Sequence, residues 1–96
     1  MIYSFGNKLA EDLFYDRFSK ATRRFPANLI RAARRKILYL HEADDLVDLT
    51  ALPGNRLEKL KGTKREFYSI RINDQWRVIF RWIDRNAYDV QIVDYH

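Results

Sequence analysis

The sequence predicts an α+β fold in which N-terminal helices pack on a mainly antiparallel β-sheet. Two stretches carry that prediction. From Ala27 to about Ala43, apolar residues recur at three- and four-residue spacing (Ile30, Ala33, Ile37, Leu40), the signature of an amphipathic helix. From Tyr68 to Tyr95 the period changes to two, with β-branched and aromatic residues alternating with polar ones around two polar turns. The size of the chain fits this reading. Its 96 residues, 47% of them apolar or aromatic, suit one domain spanning 1–96 with a single core, and disorder is not expected.

Met1 to Phe5 is a short apolar alternation and reads as a first strand. Asn7 is a candidate N-cap for a short helix from Lys8 to Phe14 with Leu9, Leu13 and Phe14 on one side. Tyr15 to Arg24 carries Arg17, Lys20, Arg23 and Arg24 and reads as a basic loop, partly helical at most. Pro26 suits the start of the long helix, where its missing N–H costs nothing. The apolar stripe of that helix, joined by Leu29 and Leu38, should face the sheet. Its other side bears Arg31, Arg34, Arg35 and Lys36, which form either a solvated face or a surface for an acidic chain or RNA phosphates. His41, within the helix, reads as structural.

Glu42 to Asp48 is acidic, but Asp44, Asp45 and Asp48 lack the glycine and ligand spacing of a calcium loop. A charged loop with a helical turn through Leu46 to Leu49 is expected. Leu52-Pro53-Gly54-Asn55 is a turn, and Arg56 to Arg65 supplies five basic residues in ten before the sheet begins.

The first hairpin turns at Asn73-Asp74-Gln75. Ile72 then faces Trp76, Ile70 faces Val78 and Tyr68 faces Phe80 on one side. The other side receives Ser69, Arg71, Arg77, Ile79 and Arg81. Burying that side in the core would strand guanidinium groups, so it is left open to something anionic. A second turn at Asp84-Arg85-Asn86, taken as three residues, pairs Trp82 with Tyr88, Phe80 with Val90 and Val78 with Ile92. Arg81 meets Asp89 and Arg77 meets Val93, with Tyr95 diagonal to Arg77. Arg71, Arg77 and Tyr95 thus share the open face.

The formal charge of +5 favours an anionic partner, nucleic acid first. The absence of cysteine excludes disulfides, thiolate metal sites and a thiol nucleophile, and fits a cytoplasmic protein. No apolar run approaches the roughly 18 residues of a membrane span, and no secretory signal pattern opens the chain. No cofactor or metal is expected.

Pro53-Gly54-Asn55-Arg56-Leu57-Glu58, Leu60-Lys61-Gly62, Ser69 to Arg77 and the run Val90 to His96, closing in Val-Asp-Tyr-His, together resemble the HigB (host inhibition of growth, plasmid-maintenance killer) toxins of the RelE-like superfamily. The resemblance is specific over residues 50–96 and compatible before that. It implies a small α+β fold with N-terminal helices on a twisted antiparallel sheet. It also implies a type II toxin, a ribosome-dependent endoribonuclease that cuts mRNA in the ribosomal A site. Its partners would be a HigA-like helix-turn-helix antitoxin, the ribosome with its mRNA, and operator DNA only through the antitoxin complex; no membrane is involved.

Metal-free RNA cleavage uses the substrate 2′-OH as nucleophile. It needs a proton acceptor, a counter-charge for the phosphorane and a proton for the 5′-oxygen. Arginine forks suit the second task. Arg77 matches the family's arginine and is the first candidate, with Arg71 the second. Tyr95 and His96 match the family's terminal Tyr-His pair. Tyr95 would stack on a base or bond a phosphate, while His96 would exchange the proton or orient the substrate. Lys61, in the family's Leu-Lys-Gly segment, with Lys59, Lys64, Arg65 and Asn73, would contact RNA or ribosome. Some members carry arginine where Asn73 stands and histidine where Glu58 stands, which leaves the general base open. The alternative reading is a non-catalytic basic nucleic-acid- or protein-binding module, or an inactivated toxin, on the same scaffold.

Overall fold

The computed structural model describes residues 1–52, 54–64 and 66–95; Pro53, Arg65 and His96 lie outside the described residues. Three helices, α1 (Lys8–Phe14), α2 (Lys20–Arg24) and α3 (Ile30–Glu42), precede a four-stranded antiparallel sheet of β1 (Glu58–Lys59), β2 (Phe67–Arg71), β3 (Trp76–Ile83) and β4 (Asn86–Asp94) in the order β1-β2-β3-β4. The expected α+β architecture is present.

The two short helices begin where the sequence provides a side-chain cap. Asn7 Oδ1 accepts the Ala10 N–H at 3.1 Å, while its amide donates to the Ile92 carbonyl at 2.9 Å, so one side chain starts α1 and pins it to β4. Ser19 and Thr22 cap α2 reciprocally, which makes the second half of the basic stretch Tyr15 to Arg24 the helical part. Pro26 precedes a 3-10 turn, Ala27–Leu29, that leads into α3. Ala33, Ile37 and Leu40 are fully buried and meet Ile70, Val78, Phe80, Val90 and Ile92 in one core cluster, whereas Leu38 turns outward, contrary to expectation. It sits one residue beyond Ile37, about 100° around the helix from the buried stripe.

The β2–β3 register is the expected one: Tyr68 opposes Phe80, Ile70 opposes Val78 and Arg71 opposes Arg77. The β3–β4 register departs from expectation in half its length. The turn is two residues, with Asp84 and Arg85 both at positive φ (49° and 67°), so Ile83 pairs with Asn86 and Trp82 with Ala87 rather than Tyr88. Positive φ at both central residues is the mirror-image turn whose twist suits a tight hairpin. The one-residue slip is then cancelled by a bulge opposite Phe80, where Asp89 adopts φ 54°. Beyond it Val78 pairs with Ile92 and Arg77 with Val93, as expected.

That bulge also shapes the sheet edge. The segment Met1–Phe5 does not form a regular strand; it runs parallel to β4 and touches it at two isolated bridges, Ile2 with Ala87 and Phe5 with Val90. Between them the Asp89 N–H donates to Ser4 Oγ at 2.8 Å, a side chain standing in where the ladder is broken. Gly6 follows because the approach is close: a Cβ there would lie 2.6 Å from Gln91 Cγ and 2.9 Å from the Asp89 carbonyl oxygen. His41 takes the structural part expected of it, its Nδ1 accepting the Ile2 N–H at 3.1 Å and its ring packing on Phe14.

Candidate active site

The helices pack on the face of the sheet that carries Ile70, Val78 and Phe80, leaving the opposite face for function. Alternation along β2 and β3 puts Ser69 and Arg77 on that open face. Glu58 of β1 is the cross-strand partner of Ser69, and Arg77 lies two residues from the β3 partner of Ser69, Ile79, on the same face, so the three side chains converge. Arg77 Nη1 donates to Ser69 Oγ at 3.1 Å, and Nη2 lies 3.7 Å from Glu58 Oε1. The Tyr95 ring covers the guanidinium, its centroid 4.9 Å from Cζ. Only 12% of the Arg77 side chain is exposed, so its orientation is held by packing as well as by charge.

Tyr95 is placed by the chain as well as by its ring. Its N–H donates to the Gln75 carbonyl, and the Gln75 amide reaches the Asp94 carboxylate at 3.0 Å. The hairpin tip thus holds the end of β4 against Arg77. Beside this cluster opens a shallow groove of about 370 Å³ lined by Glu58, Lys59, Leu60, Lys61, Lys64 and Tyr95. Lys59 and Lys64 lean on the rings of Tyr68 and Phe67 with their ammonium groups 5.8 and 5.3 Å from the centroids. Aromatic support orders long side chains that water would leave mobile.

The structure therefore brings together Arg77, Tyr95, Lys59, Lys61 and Lys64 of the residues singled out from sequence. Arg71 stands beside Arg77 in the ladder, but its guanidinium is hydrogen-bonded to Asp74 at the hairpin tip. That bond, with Arg71 and then Arg56 as nearby charges, holds the Asp74 carboxyl below the usual range. Arg71 also faces Lys36, whose ammonium donates to the buried Asn55 carbonyl; burial first, then Arg35 and Arg71, lower the Lys36 pKa. Asn73 builds the turn, its Oδ1 accepting the N–H groups of Gln75 and Trp76 at 3.0 and 2.7 Å. His96 and Arg65 lie outside the described residues.

Two members of the neighbourhood owe their place to contacts that the sequence does not show, although Glu58 stands out there as a position bearing on the general base. Glu58 enters the Arg77 cluster only because β1 pairs with β2, and β1 is two residues long. Asn55 is fully buried, donating to the Leu49 carbonyl at 2.9 Å and accepting the Arg71 N–H through its own carbonyl, so it anchors the approach to β1. Among the described residues no three His, Asp or Glu side chains are grouped to hold a metal ion.

A helix-on-sheet domain thus holds a largely buried arginine next to Glu58 and Tyr95, which also line a groove with three lysines. Residues 3–96 match the family described as "RelE-like toxin of type II toxin-antitoxin system HigB". The chain belongs to that family. It is 38% identical over 84 residues to Toxin HigB-1 of Vibrio cholerae, covering 88% of this chain and 86% of the relative. It is 37% identical to Endoribonuclease HigB of Proteus vulgaris over 41 residues, 43% of this chain and 45% of that one. In fold it is similar to the toxin of a YoeB-YefM complex from Staphylococcus aureus, with a TM-score of 0.59, 23% identity and coverage of 100% of this chain and 98% of that chain.

Proposed function

We propose that this toxin is a single-domain, cytoplasmic, metal-independent endoribonuclease that cuts mRNA in the A site of translating ribosomes and is neutralised by a HigA-like helix-turn-helix antitoxin, which alone brings the complex to operator DNA. The observation that carries the reading is Arg77, a guanidinium held by Ser69, Glu58 and the Tyr95 ring beside a groove with three lysines. The relative named an endoribonuclease supports the chemistry.

In this reading the lysines seat the RNA backbone, and Tyr95 stacks on a base or bonds a phosphate. The scissile phosphate displaces Glu58 from Arg77, whose fork then faces the oxygens that gain charge. The 2′-oxygen attacks phosphorus, its proton passing to Glu58 or His96. The P–O5′ bond breaks as the 5′-oxygen is protonated, leaving a 2′,3′-cyclic phosphate and a 5′-hydroxyl. Arg77 stabilises the phosphorane between these events. Arg71, beside Arg77 in the ladder, and Lys59, Lys61, Lys64, Arg65 and Asn73 serve RNA and ribosome contact.

The test is 5′-end mapping of cellular mRNA after induction of the toxin. Cuts phased to codons within translated frames are expected. Cuts that ignore the reading frame would refute ribosome dependence. Growth arrest with no new ends would favour the non-catalytic binding module.

A further inference from the structure

On the helical side of the molecule, away from Arg77, the connection from α1 to α2 presents a feature that the nuclease reading leaves unused. Phe18 is 84% exposed, and Tyr15 beside it is more than half exposed. Arginines stand over both rings, Arg17 at 4.6 Å from the Tyr15 centroid and Arg23 at 5.9 Å from that of Phe18. A large aromatic in water contributes nothing to folding, and aromatics flanked by arginine are the composition of binding anchors. Phe18 rims a pocket of about 130 Å³ whose wall includes Leu13, Thr22 and Ile30.

The same pocket is lined by Asp12, a fully buried residue. Its Oδ1 faces Lys8 at 3.4 Å and Arg17 at 3.8 Å. The Ser19 hydroxyl first, then Lys8 and Arg17, hold the carboxyl below its usual range, so it is charged at neutral pH and fixes Arg17 beside the pocket.

The surroundings choose the partner. Residues 15–24 hold Arg17, Lys20, Arg23 and Arg24 against a single Asp16, and Arg31 and Arg34 follow on α3. A second copy of this chain would bring like charges face to face in a two-fold contact. An RNA strand seated at Arg77 lies on the other face of the sheet, and an exposed aromatic flanked by arginines over an apolar-walled pocket suits a peptide anchor better than a phosphate chain. Resting on the antitoxin partnership proposed above, we infer that this face docks an acidic, amphipathic segment of the antitoxin. An apolar side chain of that segment packs on Phe18 and its carboxylates meet Arg17 and Arg23. Neutralisation would then leave the Arg77 groove uncovered by this contact.

The experiment measures binding of the antitoxin encoded beside this chain to the purified toxin carrying Arg77→Ala, a background that permits expression. Adding Phe18→Asp, or Arg17→Glu with Arg23→Glu, should weaken binding roughly 30-fold or more, the scale of an anchor residue, with unchanged melting temperature. With Arg77 intact, Phe18→Asp should still arrest growth, and co-expressed antitoxin should no longer relieve it. If Phe18→Asp lowers the melting temperature, Phe18→Ala serves in its place. Binding and relief equal to the parent in these variants would overturn the inference. Loss of growth arrest with antitoxin binding retained would assign the face to the ribosome instead. Failure of the Arg77→Ala parent itself to bind antitoxin would overturn the antitoxin reading together with this one, and codon-phased cleavage would then still stand or fall on its own test.

Discussion

Replacing Arg77 with alanine separates the catalytic from the structural meaning of the cluster. The side chain contributes one hydrogen bond to a buried hydroxyl, Ser69 Oγ at 3.1 Å, one ion pair to a half-exposed Glu58, and the cation beneath Tyr95. The first is worth about 1 kcal/mol, and the other two about 0–1 kcal/mol each at a solvated surface. Such terms do not add fully, so a loss of about 1–2 kcal/mol is expected. For a chain of this size each kcal/mol lowers Tm by about 4–8 °C, so Arg77→Ala should melt roughly 5–15 °C below wild type and remain folded at 37 °C. Its chemical rate should fall far more. Loss of one pre-organised charge facing a developing anion costs on the order of 10²–10³ in rate. The assay is single-turnover cleavage of mRNA in a programmed ribosome, read by primer extension, alongside a thermal melt. Arg77→Lys keeps the charge without the fork and should fall between the two. Cleavage by folded Arg77→Ala at the wild-type rate would refute the role of Arg77, and an unfolded variant would show that the arginine is structural.

His96→Gln retains a hydrogen-bonding group but cannot titrate near neutrality, so cleavage in the same assay should drop sharply with antitoxin binding kept; wild-type cleavage by the variant would exclude proton transfer at that position. Protein stripped with EDTA and returned to magnesium-stabilised ribosomes should cut as well as protein given zinc or manganese, and rescue of an inactive stripped protein by one transition metal would sink the metal-free mechanism. Asn55→Ala should lower stability by about 2–3 kcal/mol, because it strands the Leu49 carbonyl and the Lys36 ammonium it now satisfies; a urea midpoint equal to wild type would contradict that accounting.

The parts of the fold legible in the sequence are those where a period and a burial demand coincide. Ile70, Val78 and Phe80 must all face the helices, and a one-residue slip of β2 on β3 would expose all three, so that register could be read directly. The β3–β4 turn could not. Asp84-Arg85 and Asp84-Arg85-Asn86 offer the same turn chemistry, and the bulge at Asp89 that absorbs the difference leaves no mark on the alternation near Val78 and Ile92. Helix α2 was hidden because five residues are too few to show a period, although Ser19 and Thr22 are its cap. At the site, the register places Arg77 and Tyr95 on one face, while their roles and that of Lys61 come from the family resemblance. Glu58 and Asn55 depend on contacts from outside the hairpin, with β2 and with α3, which no local pattern encodes.

The Glu58–Arg77 contact explains how a site can hold a charge ready without being occupied by it. An isolated guanidinium under an aromatic ring would draw any passing anion, and an arginine with no partner would have no fixed direction. Ser69 sets the direction from beneath, through a hydroxyl that is itself buried. Glu58 supplies the counter-charge from the rim, at 3.7 Å and half exposed, a pairing that contributes at most about 1 kcal/mol. Under the proposed mechanism an incoming phosphodiester would also gain Lys59, Lys61 and Lys64 along the groove, which would favour exchange of carboxylate for phosphate as the strand seats. The displaced carboxylate would then lie beside the strand, one of the two groups, with His96, that could take the 2′-hydroxyl proton. If Glu58 takes it, ground-state partner and proton acceptor are one residue.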